Sequence, residues 1–102
     1  MSEQAADSKP RVLMVDDSKV IRMAANKILG KDYDVVVAAD GEEGWKKLSD
    51  DHSIHVVFTD LMMPVLDGLG LLDRIREADD PGIQNLPVIM VTGADNSEEL
   101  RE

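Results

Sequence analysis

The sequence contains no cysteine, which excludes a disulfide framework, thiolate metal ligation and a thiol nucleophile, and is compatible with a reducing compartment. Basic residues are scarce: 11 Lys+Arg stand against 21 Asp+Glu, a formal net charge of -10. A field of that sign repels phosphate backbones and anionic lipid, so this segment is expected to bind neither nucleic acid nor a membrane surface. The same surplus of carboxylates suits a cation site. No uninterrupted apolar run approaches the ~18 residues of a membrane span, and Met1 to Lys9 lacks the apolar core of a secretory signal, so a cytoplasmic location is expected. With 43% hydrophobic and 31% charged residues, four prolines and seven glycines, the chain is too hydrophobic for a disordered segment and too mixed for a fibrous one. Its 102 residues suffice for one core and not for two.

Residues 1–10 are polar and without periodicity and read as a frayed tail; residues 11–102 form the domain. Within it four short apolar runs recur: Val12-Leu13-Met14-Val15, Val35-Val36-Val37-Ala38-Ala39, Val56-Val57-Phe58-Thr59 and Val88-Ile89-Met90-Val91-Thr92. They are continuous rather than alternating, the pattern of strands covered on both faces of a parallel sheet. Helical spacing fills the gaps. Ser18 to Leu29 carries Val20, Ile21, Ala24, Ala25 and Ile28 on one stripe, with Ser18 as N-cap and Gly30 where a left-handed C-terminal residue belongs. Gly41 to Leu48 sets Trp45 and Leu48 opposite Glu42, Glu43, Lys46 and Lys47, and Gly68 to Arg76 aligns Leu71, Leu72 and Ile75. Asp79-Asp80-Pro81-Gly82 reads as a turn-rich loop, and Asn96 to Leu100 as the start of a fourth crossover helix. This β-α-β-α-β-α-β order predicts an α/β fold with a doubly wound parallel sheet.

Ligands of such sheets bind beyond the carboxyl ends of the strands, where the winding direction reverses. The first strand ends in Asp16-Asp17, the third in Asp60 and the fourth in Thr92, so three carboxylates and a hydroxyl converge on one edge. Two like charges 4 Å apart repel by about 4 kcal/mol at an effective dielectric near 20. A hard divalent cation offsets that, and Mg²⁺ is commonly held by one or two carboxylates with several waters. A cation, a free carboxylate and a hydroxyl are also parts for phosphoryl transfer, in which a carboxylate can become an acyl phosphate. His52 and His55 fall before and at the entry of the third strand, the wrong end for this chemistry, and are read as structural or solvated. Trp45 is read as packing against the sheet.

Three stretches carry a family likeness: Val15-Asp16-Asp17-Ser18, Asp60-Leu61-Met62-Met63-Pro64-Val65-Leu66-Asp67-Gly68 and Val91-Thr92-Gly93-Ala94. Together they make the chain resemble, from about Arg11 onward, the receiver domain of two-component response regulators. The resemblance implies a flavodoxin-like sheet of strand order 2-1-3-4. It implies that Asp60 accepts a phosphoryl group from a phosphohistidine on a sensor histidine kinase or histidine phosphotransfer protein. It further implies Mg²⁺ ligation by Asp17, Asp60 and the backbone carbonyl of Met62, with Asp16 helping to place the metal. Thr92 would hydrogen-bond the phosphoryl group and report it to the surface. Met63, Pro64, Asp67 and Gly68 would shape the loop, and Met62 and Ala94 occupy the positions that tune acyl-phosphate lifetime.

The family pattern also calls for a fifth strand ending in a lysine, then a fifth helix; no lysine follows Lys47. The expectation is therefore a receiver cut short in its fourth crossover helix, with the outer edge of the fourth strand open to homodimerisation. Such a protein is a switch that catalyses only its own phosphorylation and dephosphorylation, not an enzyme acting on a separate metabolite; its output domain is not indicated. Two other readings are a receiver-like interaction or dimerisation module that is never phosphorylated, and an aspartyl phosphohydrolase. The latter wants a second Asp two residues after the nucleophile, where this sequence has Met62.

Overall fold

In the computed structural model, which describes residues 9–63 and 65–91, the four apolar runs form one parallel sheet. The strands are β1 (Arg11–Val15), β2 (Asp34–Ala38), β3 (Ile54–Asp60) and β4 (Val88–Val91), in the order β2-β1-β3-β4. Between them lie α1 (Lys19–Leu29), α2 (Gly41–Asp50), α3 (Gly68–Arg76) and the one-turn α4 (Pro81–Gln84). No helix among the described residues is long and apolar enough to cross a membrane.

The central strand is the most buried: Val12, Leu13, Met14 and Val15 are all nearly inaccessible, as a continuous apolar run predicts. Leu13 and Val15 face one side with Leu48, Val57, Leu71, Ile75, Ile83 and Leu86, forming the core under α2, α3 and α4. Gly44 lets α2 come close, since a Cβ there would lie 3.0 Å from Val15. Trp45 packs on this core, as expected, with Arg74 lying 6.0 Å above its ring. The flanking strands are less covered: β2 is only half-buried, and Ile89 of β4 is 47% exposed.

Each of these helices begins with a side-chain cap, which satisfies amide groups that no helical carbonyl can reach. Ser18, Asp40, Asp67 and Asp80 accept hydrogen bonds from Ile21, Glu43, Gly70 and Gly82 respectively. Strand β2 ends at Ala38 rather than Ala39 because the Ala39 amide donates to the Glu43 carboxylate at 2.8 Å.

Three expectations are corrected. The segment around Asp80-Pro81 holds a helical turn rather than only a loop, because Asp80 caps it and Pro81 suits a first helical position. Arg76 fastens that turn by donating to the carbonyls of Gln84 and Leu86. Gly30 is right-handed (φ -64°, ψ -17°), with its N–H bonded to the Asn26 carbonyl, so the helical path simply runs through it. The buried side of α1 is rotated from the expected stripe: its half-buried residues are Arg22, Ala25 and Leu29, so of the expected set Ala25 alone turns inward, while Val20 and Ile28 are 73% and 70% exposed. Arg22 sets that rotation by bonding to the backbone at the end of β1.

At the amino ends of the strands Arg11 clasps Asp34 and Asp51, at 2.8 and 2.6 Å. The Ser53 hydroxyl and N–H, with Arg11, hold the Asp51 carboxyl down at about 2. His52 Nδ1 lies 3.6 Å from Asp80 and His55 is exposed, both at this end of the sheet.

Candidate functional site

The sheet order places the reversal of winding between β1 and β3, and their register pairs Val15 with Thr59. The residues one step further, Asp16 and Asp60, therefore stand side by side at the carboxyl ends of adjacent strands. Asp17 joins them: one carboxylate oxygen from each of Asp16, Asp17 and Asp60 lies within 4.8 Å of the others. Asp16 is buried at 6% exposure, Asp60 is half-buried and Asp17 is open to solvent.

Asp16 is anchored at three atoms. Its N–H donates to the Ala38 carbonyl at 3.0 Å, its Oδ1 accepts from the Ser18 amide at 2.9 Å, and its carbonyl accepts from Arg22 Nη1 at 2.8 Å. These bonds join β1, β2 and α1 under one carboxylate. Thr59, fully buried, donates its hydroxyl to the Asp60 carbonyl at 3.0 Å and steadies the last turn of chain before the loop.

Burial pushes the Asp60 carboxyl above the ordinary carboxylate range, and the charge of Asp16 and then of Asp17 pushes it the same way; the backbone amides of Leu61 and Met62 pull it down. Asp60 is thus the acid that the other two strain. Three hard oxygen donors gathered this closely fit a divalent cation, which takes carboxylates and water and would relieve that repulsion. Cysteine and histidine take no part in the cluster.

The loop after Asp60 is held by close backbone contacts. Gly68, the first residue of α3, donates its N–H to the Leu61 carbonyl at 3.0 Å. A Cβ on Gly68 would fall 2.3 Å from the Asp60 carbonyl oxygen, so only glycine fits. Asp67 caps α3, and Met63 and Leu66 pack on the core, while Met62 is 70% exposed. Pro64, Thr92 and Ala94 lie outside the described residues. The structure therefore joins Asp16, Asp17 and Asp60 in one cluster and sets Met62, Met63, Asp67 and Gly68 on the adjoining loop.

Sequence reasoning missed Arg22, Thr59 and the link in which the Gly41 amide donates to the Leu66 carbonyl at 2.9 Å. Nothing in local spacing marks Arg22 or the Gly41 link, since each depends on elements meeting in space. A polar Thr59 inside an apolar strand was the one signal available.

The family model described as response regulator receiver domain matches residues 12–102 of this chain. Protein PilG of Pseudomonas aeruginosa is 37% identical over 94 residues, spanning 91% of this chain and 67% of PilG. The 3',5'-cyclic-nucleotide phosphodiesterase regA of Dictyostelium discoideum is 36% identical over 94 residues, which cover 90% of this chain and only 12% of regA. The crystal structure of a response regulator receiver protein from Pseudomonas putida superposes with a TM-score of 0.77 at 34% identity, covering 92% of this chain and 76% of that one. The strand order β2-β1-β3-β4 is that of the flavodoxin-like receiver fold, to which this solved structure belongs.

Proposed function

Because the chain belongs to the response regulator receiver domain family of two-component signalling, we propose that it is the phosphoacceptor of a phosphorelay, with Asp60 as the acceptor. An Asp60 oxygen bonds to phosphorus as the phosphorus–nitrogen bond of a phosphohistidine breaks, and the imidazole leaves. The donor is a sensor histidine kinase or a histidine phosphotransfer protein. The reading rests on one observation: three carboxylate oxygens converge within 4.8 Å at the reversal of the sheet.

Mg²⁺ is the proposed cofactor, held by Asp16, Asp17, Asp60 and the Met62 carbonyl; when bound it neutralises negative charge as the phosphoryl group arrives. The chain's own part is to hold these groups in place. Ser18, Ala38 and Arg22 fix Asp16, and Thr59 and Gly68 fix the backbone at Asp60 and Leu61. Thr92 is the proposed phosphoryl-binding switch residue and Ala94, with Met62, a position that tunes lifetime. The proposed outcome is a change in contact with an output domain or partner, with no separate metabolite turned over and no nucleic acid bound by this segment. A cytoplasmic location for this exchange is part of the proposal.

The competing reading, an interaction module that is not phosphorylated, draws on β4, which among the described residues pairs with β3 alone and could pair edge to edge with a second copy. Incubation with acetyl phosphate, followed by intact mass measurement, separates the two. Phosphoacceptance predicts a gain of one phosphoryl group that needs Mg²⁺ and disappears in Asp60→Asn. No gain in mass, with sedimentation showing a dimer, favours the interaction module.

A further inference from the structure

Among the described residues, Asp16 and Thr59 alone are both polar and buried, and Thr59 is wholly inaccessible. In the sheet Thr59 stands between Val15 of β1 and Met90 of β4, on the side where Val15 and Val57 join the apolar core. Valine has nearly the same shape as threonine and would fill this place with no oxygen to satisfy. A hydroxyl buried among apolar groups costs free energy unless it is hydrogen-bonded. Thr59 offsets that cost by donating to the Asp60 carbonyl at 3.0 Å.

The bonded carbonyl belongs to the Asp60–Leu61 peptide, and the start of α3 closes over it. A Cβ on Gly68 would lie 2.3 Å from that oxygen and 3.1 Å from the Leu61 Cα. The opposite edge of the same peptide carries the Leu61 N–H, which together with the Met62 amide favours the ionised Asp60 carboxylate. A trans peptide is rigid and planar, with its C=O and N–H pointing opposite ways. A tilt that draws the carbonyl away from Thr59 therefore swings the Leu61 N–H off the carboxylate.

Thr59 thus reaches the Asp60 carboxylate through a single rigid plate. Wholly buried, its own side chain touches neither a phosphoryl donor nor a cation.

We propose that Thr59 is a positioning residue for phosphoryl transfer: its buried hydroxyl fixes the Asp60–Leu61 peptide plane, and that plane holds the Asp60 carboxylate in the attitude from which it attacks phosphorus. This rests on the reading of Asp60 as the acceptor. A nucleophile reacts at a rate set by how often it is correctly oriented, so small misplacements are felt in the chemical step. Loss of the hydroxyl therefore slows phosphorylation even where the fold is kept.

The test is the initial rate of acyl-phosphate formation from acetyl phosphate at saturating Mg²⁺, read by intact mass and paired with thermal melting. It compares the native protein with Thr59→Val, Thr59→Ser and Thr59→Ala. Val should react about 3- to 10-fold more slowly, the scale of one hydrogen bond, while melting close to the native protein. Ser keeps the hydroxyl and drops a buried methyl, so it should melt lower and still react near the native rate. Ala should be slower than Ser by the factor that separates Val from the native protein, and this pair carries the comparison if Val does not fold. Rate then follows the hydroxyl and stability follows the apolar volume. A native rate in Val, or equal rates in Ser and Ala, overturns the proposal while leaving Asp60 as acceptor. Absence of acyl phosphate on the native protein removes the acceptor reading and the proposal together.

Discussion

The Arg22 guanidinium donates a hydrogen bond to the backbone carbonyl of Asp16 at 2.8 Å, tying the first helix to the end of the strand that carries two of the three clustered carboxylates. The bond is partly buried and sets the rotation of α1. Replacing Arg22 by Met keeps an apolar stem and removes the donor. The expected loss is about 1–2 kcal/mol, the low end for a hydrogen bond from a charged donor because this one is only partly buried. Mg²⁺ binding should weaken with it, because Asp16 is less firmly held. Equal stability and equal affinity in urea unfolding and calorimetry would contradict this role.

Asp60 gives a pH-dependent prediction. Its carboxyl is held above the ordinary range, first by burial and then by Asp16. The folded protein therefore binds more protons than the unfolded chain between the ordinary and the raised value. Stability accordingly falls as pH rises through that window. Asp60→Asn abolishes this cost, so without metal it should melt a few degrees above the native protein at pH 7. That advantage should shrink as pH falls through the same window and be gone below about 4, the ordinary value for Asp. Mg²⁺ at 10 to 100 times its Kd should add roughly 1.4 to 2.7 kcal/mol to the native protein and less to Asp60→Asn. Melting curves with EDTA and with Mg²⁺, at several pH values, check both signs.

Gly68→Ala would drive a Cβ against the Asp60 carbonyl oxygen and the Leu61 Cα, both backbone atoms that cannot turn aside. Overpacking of this kind costs about 1–3 kcal/mol, and the displaced Asp60 should lose metal affinity as well. Gly82→Ala is the control: its Cβ would meet only the flexible Asp80 side chain at 3.3 Å. Chemical unfolding should place that variant within about 0.5 kcal/mol of the native protein.

Asp16, Asp17 and Asp60 could be read from sequence because strand ends are visible as the ends of apolar runs, and a parallel sheet directs those ends to one edge. The buried centre was legible for the same reason: an unbroken Val12 to Val15 has to be covered on both faces. Helix rotation was harder. The spacing of Val20, Ile21, Ala24, Ala25 and Ile28 shows that one side of α1 is apolar, yet of these Ala25 alone is half-buried, together with Arg22 and Leu29. Asp80-Pro81 begins a turn and caps a helix with the same two residues, so local pattern cannot separate the two outcomes. The left-handed backbone of Val65, at φ 71°, was invisible because its residue type argues for the opposite conformation.

Asp60, rather than its acidic neighbours, is the proposed recipient of the phosphoryl group. Hydride reduction of the acyl phosphate formed with acetyl phosphate and Mg²⁺, followed by peptide mass spectrometry, locates the modified carboxyl. Reduction is expected at Asp60, with Asp16 and Asp17 untouched, and no label when Mg²⁺ is chelated. Label at Asp16 or Asp17, or label at Asp60 that is indifferent to chelation, would contradict it.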